Sequence, residues 1–201
     1  MKEHYYVGVD LGQSRDHSAI AIVETSESLG AVRDPVSYAF PVHKHIVLRQ
    51  LDRIPLGTEY TTVAGLVGQV ARGLERLGPA TIVVDASGVG SAVVEMIRKS
   101  AAGRRLVPVV ITSGVGSNHS GGKWNVGKRE LMSVLRMLIE QKTLFYASDL
   151  AGKEILLEEL AGMKASTLAG KKDDAVMALA LACWWARRGT VGESAHPLKL
   201  Y

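Results

Sequence analysis

Asp10, Asp85 and the pair Asp173-Asp174 stand where carboxylates can do chemistry. Asp10 closes the apolar run Tyr5–Val9, Asp85 closes the wholly apolar run Thr81–Val84, and Asp173-Asp174 opens an apolar stretch that runs to Ala186. If the two runs are parallel neighbouring strands, their acids lie side by side at the carboxyl edge of a sheet, where open α/β folds bind ligands. A final helix packed on that sheet would bring Asp174 to the same point. Asp16, across a hairpin turn from Asp10, could face the same edge. Clustered carboxylates repel one another and destabilise a fold unless something compensates. Mg²⁺ and Mn²⁺ are hard cations that take oxygen ligands, and either would compensate. Two such ions can activate a water and stabilise the leaving oxygen of a phosphodiester. Taken singly, each acid also has an ordinary role: Asp10, Asp16 and Asp85 as turn residues, Asp173 as a helix N-cap.

The elements that must position these acids follow from the apolar pattern. After the first strand, Leu11–His17 is a polar, Gly-containing turn, and Ser18–Glu24 pairs back as a hairpin. A third strand is expected over Val36–Val42, bounded by Pro35 and Pro41. Thr61–Leu77 carries apolar residues at helical spacing and is stopped by Gly78-Pro79. Thr81–Val84 is apolar throughout, as in a strand buried on both faces of a parallel sheet. A helix opens at Gly88–Gly90 and runs to Ser100, and Leu106–Ile111 is a fifth strand. Thr112–Asn125 is expected as one long Gly- and Ser-rich loop. Helices over Val126–Gln141 and Leu150–Gly162 flank a short strand at Leu144-Phe145. A polar turn, Ser166–Lys172, leads to the last helix, Asp173–Arg188, whose apolar circumference predicts burial. The expected fold class is α/β, a central mixed sheet of five or more strands with helices on both faces. Residues 1–188 are expected as one domain and 189–201 as a C-terminal tail.

Composition narrows the class. The chain has 201 residues, 47% hydrophobic and 22% charged, which fits a globular domain and excludes a disordered one. Aromatic residues make up 5%, so the core is aliphatic. A net charge of +4 is compatible with nucleic acid without arguing for it. The single cysteine, Cys183, excludes an internal disulfide framework and a Cys-rich zinc site. His4, His17, His43, His45, His119 and His196 lack metal-ligand spacing, and His17 alone lies near the acids. With no apolar stretch of about 18 residues, no membrane partner and a cytoplasmic location are expected.

Four strings together resemble the nuclease domain of large terminase subunits, the DNA-packaging motors of tailed bacteriophages and prophages. They are VGVDLGQSRDHSAIAIV (7–23), TIVVDASGVG (81–90), GKRELMSVLRMLI (127–139) and KKDDAVMALALACWW (171–185). The most specific is the Asp-Asp followed by the Val-Met-Ala-Leu-Ala helix. The resemblance implies a ribonuclease H-like fold and a two-metal endonuclease that cuts concatemeric double-stranded DNA with Mg²⁺ or Mn²⁺. It implies Asp10, Asp85 and Asp174 as catalytic metal ligands, with Asp16 and Asp173 supporting. Lys128 and Arg129 fall where the family often has a basic residue opening a helix, and they are the candidate DNA contacts. The implied partners are double-stranded DNA, a terminase ATPase domain, the small terminase subunit and the portal of a procapsid.

Full-length large terminases also carry an ATPase domain ahead of the nuclease, and none is expected within these residues. The chain's nearest approach to a phosphate-binding loop, Gly116–Lys123, misses the required spacing and has Trp124 where Ser or Thr is needed. No nucleotide site is expected. Three alternatives stay open: a Holliday-junction-resolvase-like nuclease, an actin-like or sugar-kinase-like phosphotransferase, and a non-catalytic DNA-binding packaging module.

Overall fold

Alternation along neighbouring strands decides which face of the sheet the acids share. The computed structural model describes residues 3–12, 16–88, 90–101, 105–165 and 172–192. Within these, β1 (His4–Asp10), β2 (Ala19–Leu29), β3 (Val42–Arg53), β4 (Ala80–Asp85), β5 (Arg105–Thr112), β6 (Ser117–Ser120), β7 (Lys123–Gly127) and β8 (Leu144–Tyr146) form one mixed sheet in the order β6-β7-β5-β4-β1-β2-β3-β8. β1 is parallel to β4 and antiparallel to β2, so the first and fourth strands are the parallel neighbours that the acids require. Five helices complete the described chain: α1 (Tyr60–Leu74), α2 (Gly90–Ser100), α3 (Lys128–Glu140), α4 (Lys153–Ala165) and α5 (Asp174–Gly192).

Two apolar cores lie on the two faces. Val7, Val9, Ile20, Ile22, Ile82 and Val84 face α1 and α2, whose Val63, Val67 and Ile97 are fully buried. Tyr6, Ala19, Ala21, Val23 and Val83 face the opposite way, toward α3, α4 and α5. Helices thus cover both faces, as expected. By the period of two, Asp10 shares the parity of Tyr6 and Gly8, and Asp85 that of Thr81 and Val83. Both acids therefore lie on the face that α5 covers.

The packing of α5 on that face is unusually close. From Ala175 to Ala186 every residue is buried, at most 8% exposed, which is the expected signature of an internal helix. Ala19 and Ala21 keep the sheet surface beneath it low. A Cβ built on Gly8 would stand 1.9 Å from the Ala178 carbonyl oxygen, so only glycine lets β1 and α5 approach this far.

Several elements differ from expectation. β3 is Val42–Arg53, and the residues expected as a strand, 36–41, form an exposed turn region instead. There Asp34 Oδ1 accepts the N–H groups of Val36 and Ser37, at 3.0 and 2.7 Å, an Asx-type turn that competes with strand pairing. β2 continues to Leu29 as the outer arm of that hairpin.

The long loop expected over 112–125 holds the β6–β7 hairpin, with Gly121 and Gly122 at φ 58° and 75° in its two-residue turn. Val126 and Gly127 consequently end a strand rather than open α3. α1 stops at Leu74, and α4 starts at Lys153. α5 runs four residues past its expected end, to Gly192. Residues 13–15, most of the expected turn at 166–172, and the tail beyond 192 lie outside the described residues. Among the described residues no helix is long and apolar enough to cross a membrane.

Candidate active site

The site is a row across the sheet with a helix end above it. Val9 pairs with Val84, Asp10 with Ala19, and Ala19 with Arg53, so Asp85, Asp10, Ala19 and Arg53 follow one another across four strands. One extra residue on β3, Arg49, sits at the register shift opposite Ile22/Val23. This bulge keeps Leu51 and Arg53 on the same face as Ile46 and Leu48.

Each acid is held by its own local structure. Asp85 is 9% exposed, and its Oδ1 accepts the Ser87 N–H at 2.7 Å, so it is a turn residue as well as a site acid. Ser87 Oγ in turn accepts the Ile111 N–H at 2.7 Å and ties that turn to β5. Beyond Asp10, Gly12 donates its N–H to Ser18 Oγ at 3.1 Å, and its carbonyl accepts the Tyr60 hydroxyl at 3.1 Å. Asp174 begins α5, is 6% exposed, and its Oδ2 is buried with no hydrogen-bond partner. Asp173, just before it, pairs with Lys128 Nζ at 2.5 Å.

Burial acts on all three core acids, and neighbouring negative charge adds to it at Asp10 and Asp174. Burial first, then the charges of Asp85, Asp174 and Asp173, push the Asp10 carboxyl well above its ordinary range, with Lys128 opposing. Burial also raises Asp85, against the hydrogen bonds from Ser87 and the one it shares with Asp10. Asp174 is pushed up to about 6, by burial and then by Glu159, against Arg53 and His17. These residues are close enough to feel one another's charge. The fold therefore places Asp85, Asp173 and Asp174 within electrostatic reach of Asp10.

Asp16 is exposed, but its charge reaches Asp174, so it borders the site. His17 is half-buried there, with Nδ1 3.0 Å from the Ile54 carbonyl oxygen. Lys128 opens α3 as expected, but its ammonium is tied to Asp173. Arg129 beside it is exposed.

Two further charged residues, neither marked by the sequence pattern, border the acids. Glu159, on α4, is 7% exposed, and its Oε2 accepts the Val176 N–H in the first turn of α5 at 2.9 Å. Its other oxygen accepts Arg53 Nη2. A glutamate on the apolar face of a helix, three residues after buried Leu156, was the available signal. Arg53 ends β3, which lies C-terminal to the strand expected over Val36–Val42.

The donor set suits a hard divalent cation: carboxylate oxygens only, in excess negative charge, with one buried oxygen unsatisfied. Among the described residues no three His, Cys, Asp or Glu side chains are drawn together tightly enough to form a finished cation cage. Asp10 and Asp85 meet directly, while Asp174 leans toward Arg53. The residues fit a metal in donor type and charge.

No protein-family model and no curated protein matches the sequence. Solved structures do match. The large terminase nuclease from the thermophilic phage G20c, solved with bound zinc, aligns over 90% of this chain and 80% of its own, at 24% identity and a TM-score of 0.52. The terminase nuclease domain of human cytomegalovirus, manganese-soaked and inhibitor-bound, aligns over 90% of this chain and 83% of its own, at 12% identity and a TM-score of 0.53. With its mixed sheet, two helical layers and acids at the carboxyl edge, the chain has the ribonuclease H-like fold of terminase nuclease domains.

Proposed function

We propose that the chain is a metal-dependent endonuclease that cleaves double-stranded DNA, with Asp10, Asp85 and Asp174 as the residues that hold Mg²⁺ or Mn²⁺. The observation that carries this reading is a buried Asp10 that feels the charges of Asp85, Asp174 and Asp173, with one oxygen of Asp174 orphaned nearby. Such an arrangement costs stability unless a cation is bound. The terminase nucleases whose fold it shares were solved with zinc and with manganese, which supports the same use of the site here.

Two ions are proposed, which would supply a Lewis acid for the phosphodiester and activation of the attacking water. The protein's own part is to fix the acids on a rigid sheet edge, with α5 as the roof. Asp173 and Asp16 stand at the rim as supporting acids. Lys128 offsets the charge of Asp173, and exposed Arg129 is the freer candidate for a phosphate contact. Residues 1–188 are read as one nuclease domain. The biological setting we propose is viral genome packaging in the host-cell cytoplasm. There the nuclease cuts concatemers beside a terminase ATPase domain, a small terminase subunit and a portal.

Nicking of supercoiled plasmid with Mn²⁺, Mg²⁺ or EDTA, by wild type and Asp85→Asn, tests the activity. Cutting is expected with metal and wild type only. Cutting in EDTA, or an unimpaired variant, overturns the proposal.

A further inference from the structure

We infer that Glu159 and Arg53 are a positioning pair that presents Asp174 to the metal, an inference that rests on the reading of Asp174 as a ligand. Glu159 divides its two oxygens between two elements. Oε2 holds the Val176 N–H at 2.9 Å and so fixes the first turn of α5, two residues from Asp174. Oε1 holds Arg53, at the end of β3. One carboxylate thus ties α4, α5 and the sheet at the point where Asp174 leaves the helix.

The geometry of Arg53 completes the argument. Its Nε lies 3.9 Å from Asp174 Oδ2, and both atoms are buried without a hydrogen-bond partner. The guanidinium is close enough to offset the charge of Asp174, and too far to take up its oxygen in a hydrogen bond. Glu159 holds it at that distance. Asp174 is therefore held at the start of α5 with its Oδ2 facing the guanidinium and free of any hydrogen bond.

A buried ion pair contributes little to stability compared with an apolar pair of similar volume. Its place beside a candidate ligand is instead what the orientation of metal ligands requires.

Mn²⁺ binding to the full chain at pH 8, by calorimetry and by the electron paramagnetic resonance of free Mn²⁺, tests this without reference to cleavage. Glu159→Ala is expected to weaken binding on the order of 100-fold, and Glu159→Gln, which has one acceptor oxygen for two donors, about tenfold. Asp174→Asn serves as the reference that removes the ligand itself. A merely structural role for Glu159 would lower the metal-free melting temperature and leave Mn²⁺ affinity of the folded protein unchanged. That result, with Asp174→Asn still impaired, overturns the positioning role and spares the site. Wild-type affinity in Asp174→Asn overturns both. If Glu159→Ala does not fold, Glu159→Gln decides, and wild-type affinity there overturns the inference.

Discussion

Arg53 Nε and Asp174 Oδ2 face each other across 3.9 Å, and neither atom has a hydrogen-bond partner. The cation only partly relieves the acid, because burial and the neighbouring Glu159 push the Asp174 carboxyl from 3.8 up to about 6. An acid whose pKa is raised on folding binds its proton more tightly in the native state. Its stabilising contribution is present below the unfolded value and is lost as pH rises through the folded one. Without metal, Asp174 should cost the fold on the order of 1–2 kcal/mol between pH 4 and pH 7, after allowance for solvent screening. Asp10 and Asp85, also raised, act in the same direction. Thermal unfolding in EDTA across that range should show wild type losing stability relative to Asp174→Asn. A constant difference between the two proteins would refute this.

Neutralising one acid should stabilise the metal-free protein while removing its response to metal. Asp10 lies between Asp85 and the Asp173-Asp174 end of α5, and all three charges act on it. Asp10→Asn is therefore expected to raise metal-free stability at pH 8 by roughly 1–3 kcal/mol. Wild type should gain stability on addition of Mn²⁺ by mass action, and the variant should not. Paired melting curves with Mn²⁺ and with EDTA measure both effects.

The spacing of β1 and α5 should control the site from below. Because a Cβ on Gly8 would meet the Ala178 carbonyl oxygen at 1.9 Å, Gly8→Ala must push the helix off the strand. Overpacking of this kind costs about 3 kcal/mol. Since Gly8 and Asp10 share a face two residues apart, the displacement also separates Asp10 from Asp174. Denaturant unfolding together with Mn²⁺ titration should show both losses in one variant. Wild-type stability would mean that the close approach is not required.

Away from the acids, Arg188 should hold the β6–β7 hairpin to the body of the domain. Its guanidinium lies 4.5 Å from the ring centres of both Trp124 and Trp184, and it also reaches Ser117 Oγ. Glu130 Oε1 accepts the Trp184 indole N–H at 2.7 Å and stands 3.5 Å from Arg188. Arg188→Ala is expected to weaken the hairpin locally by about 1–2 kcal/mol. Hydrogen exchange of the β6 and β7 amides should accelerate while that of β1 and β4 does not change.

The parts of this arrangement that sequence made readable are those set by one-dimensional pattern. Two apolar runs ending in Asp10 and Asp85 mark strand-end acids that meet if the strands are parallel neighbours, and continuous apolarity after Asp174 marks a buried helix. The face that the acids share required the pairing and packing of the strands, seen in which side α5 covers. What stayed hidden depends on pairing in three dimensions. His43–Arg53 is polar at its exposed end and bulged at Arg49, so no clean alternation marks β3. Pro35 and Pro41 instead suggested the limits of a strand. The Gly121-Gly122 turn of β6–β7 lay inside a run of small and polar residues that reads as a loop. Glu159 and Arg53 are 106 residues apart, and only the fold explains why they pair. Lys128 was legible as the basic start of a helix, but its partner Asp173 was not.

The most direct test of the central claim is a crystal soaked in Mn²⁺ and measured at the manganese absorption edge. The account predicts anomalous density in contact with Asp10, with Asp85 and Asp174 completing the ligands and Glu159 still holding Val176. Manganese bound away from Asp10, or no density with these three carboxylates ordered, would contradict it.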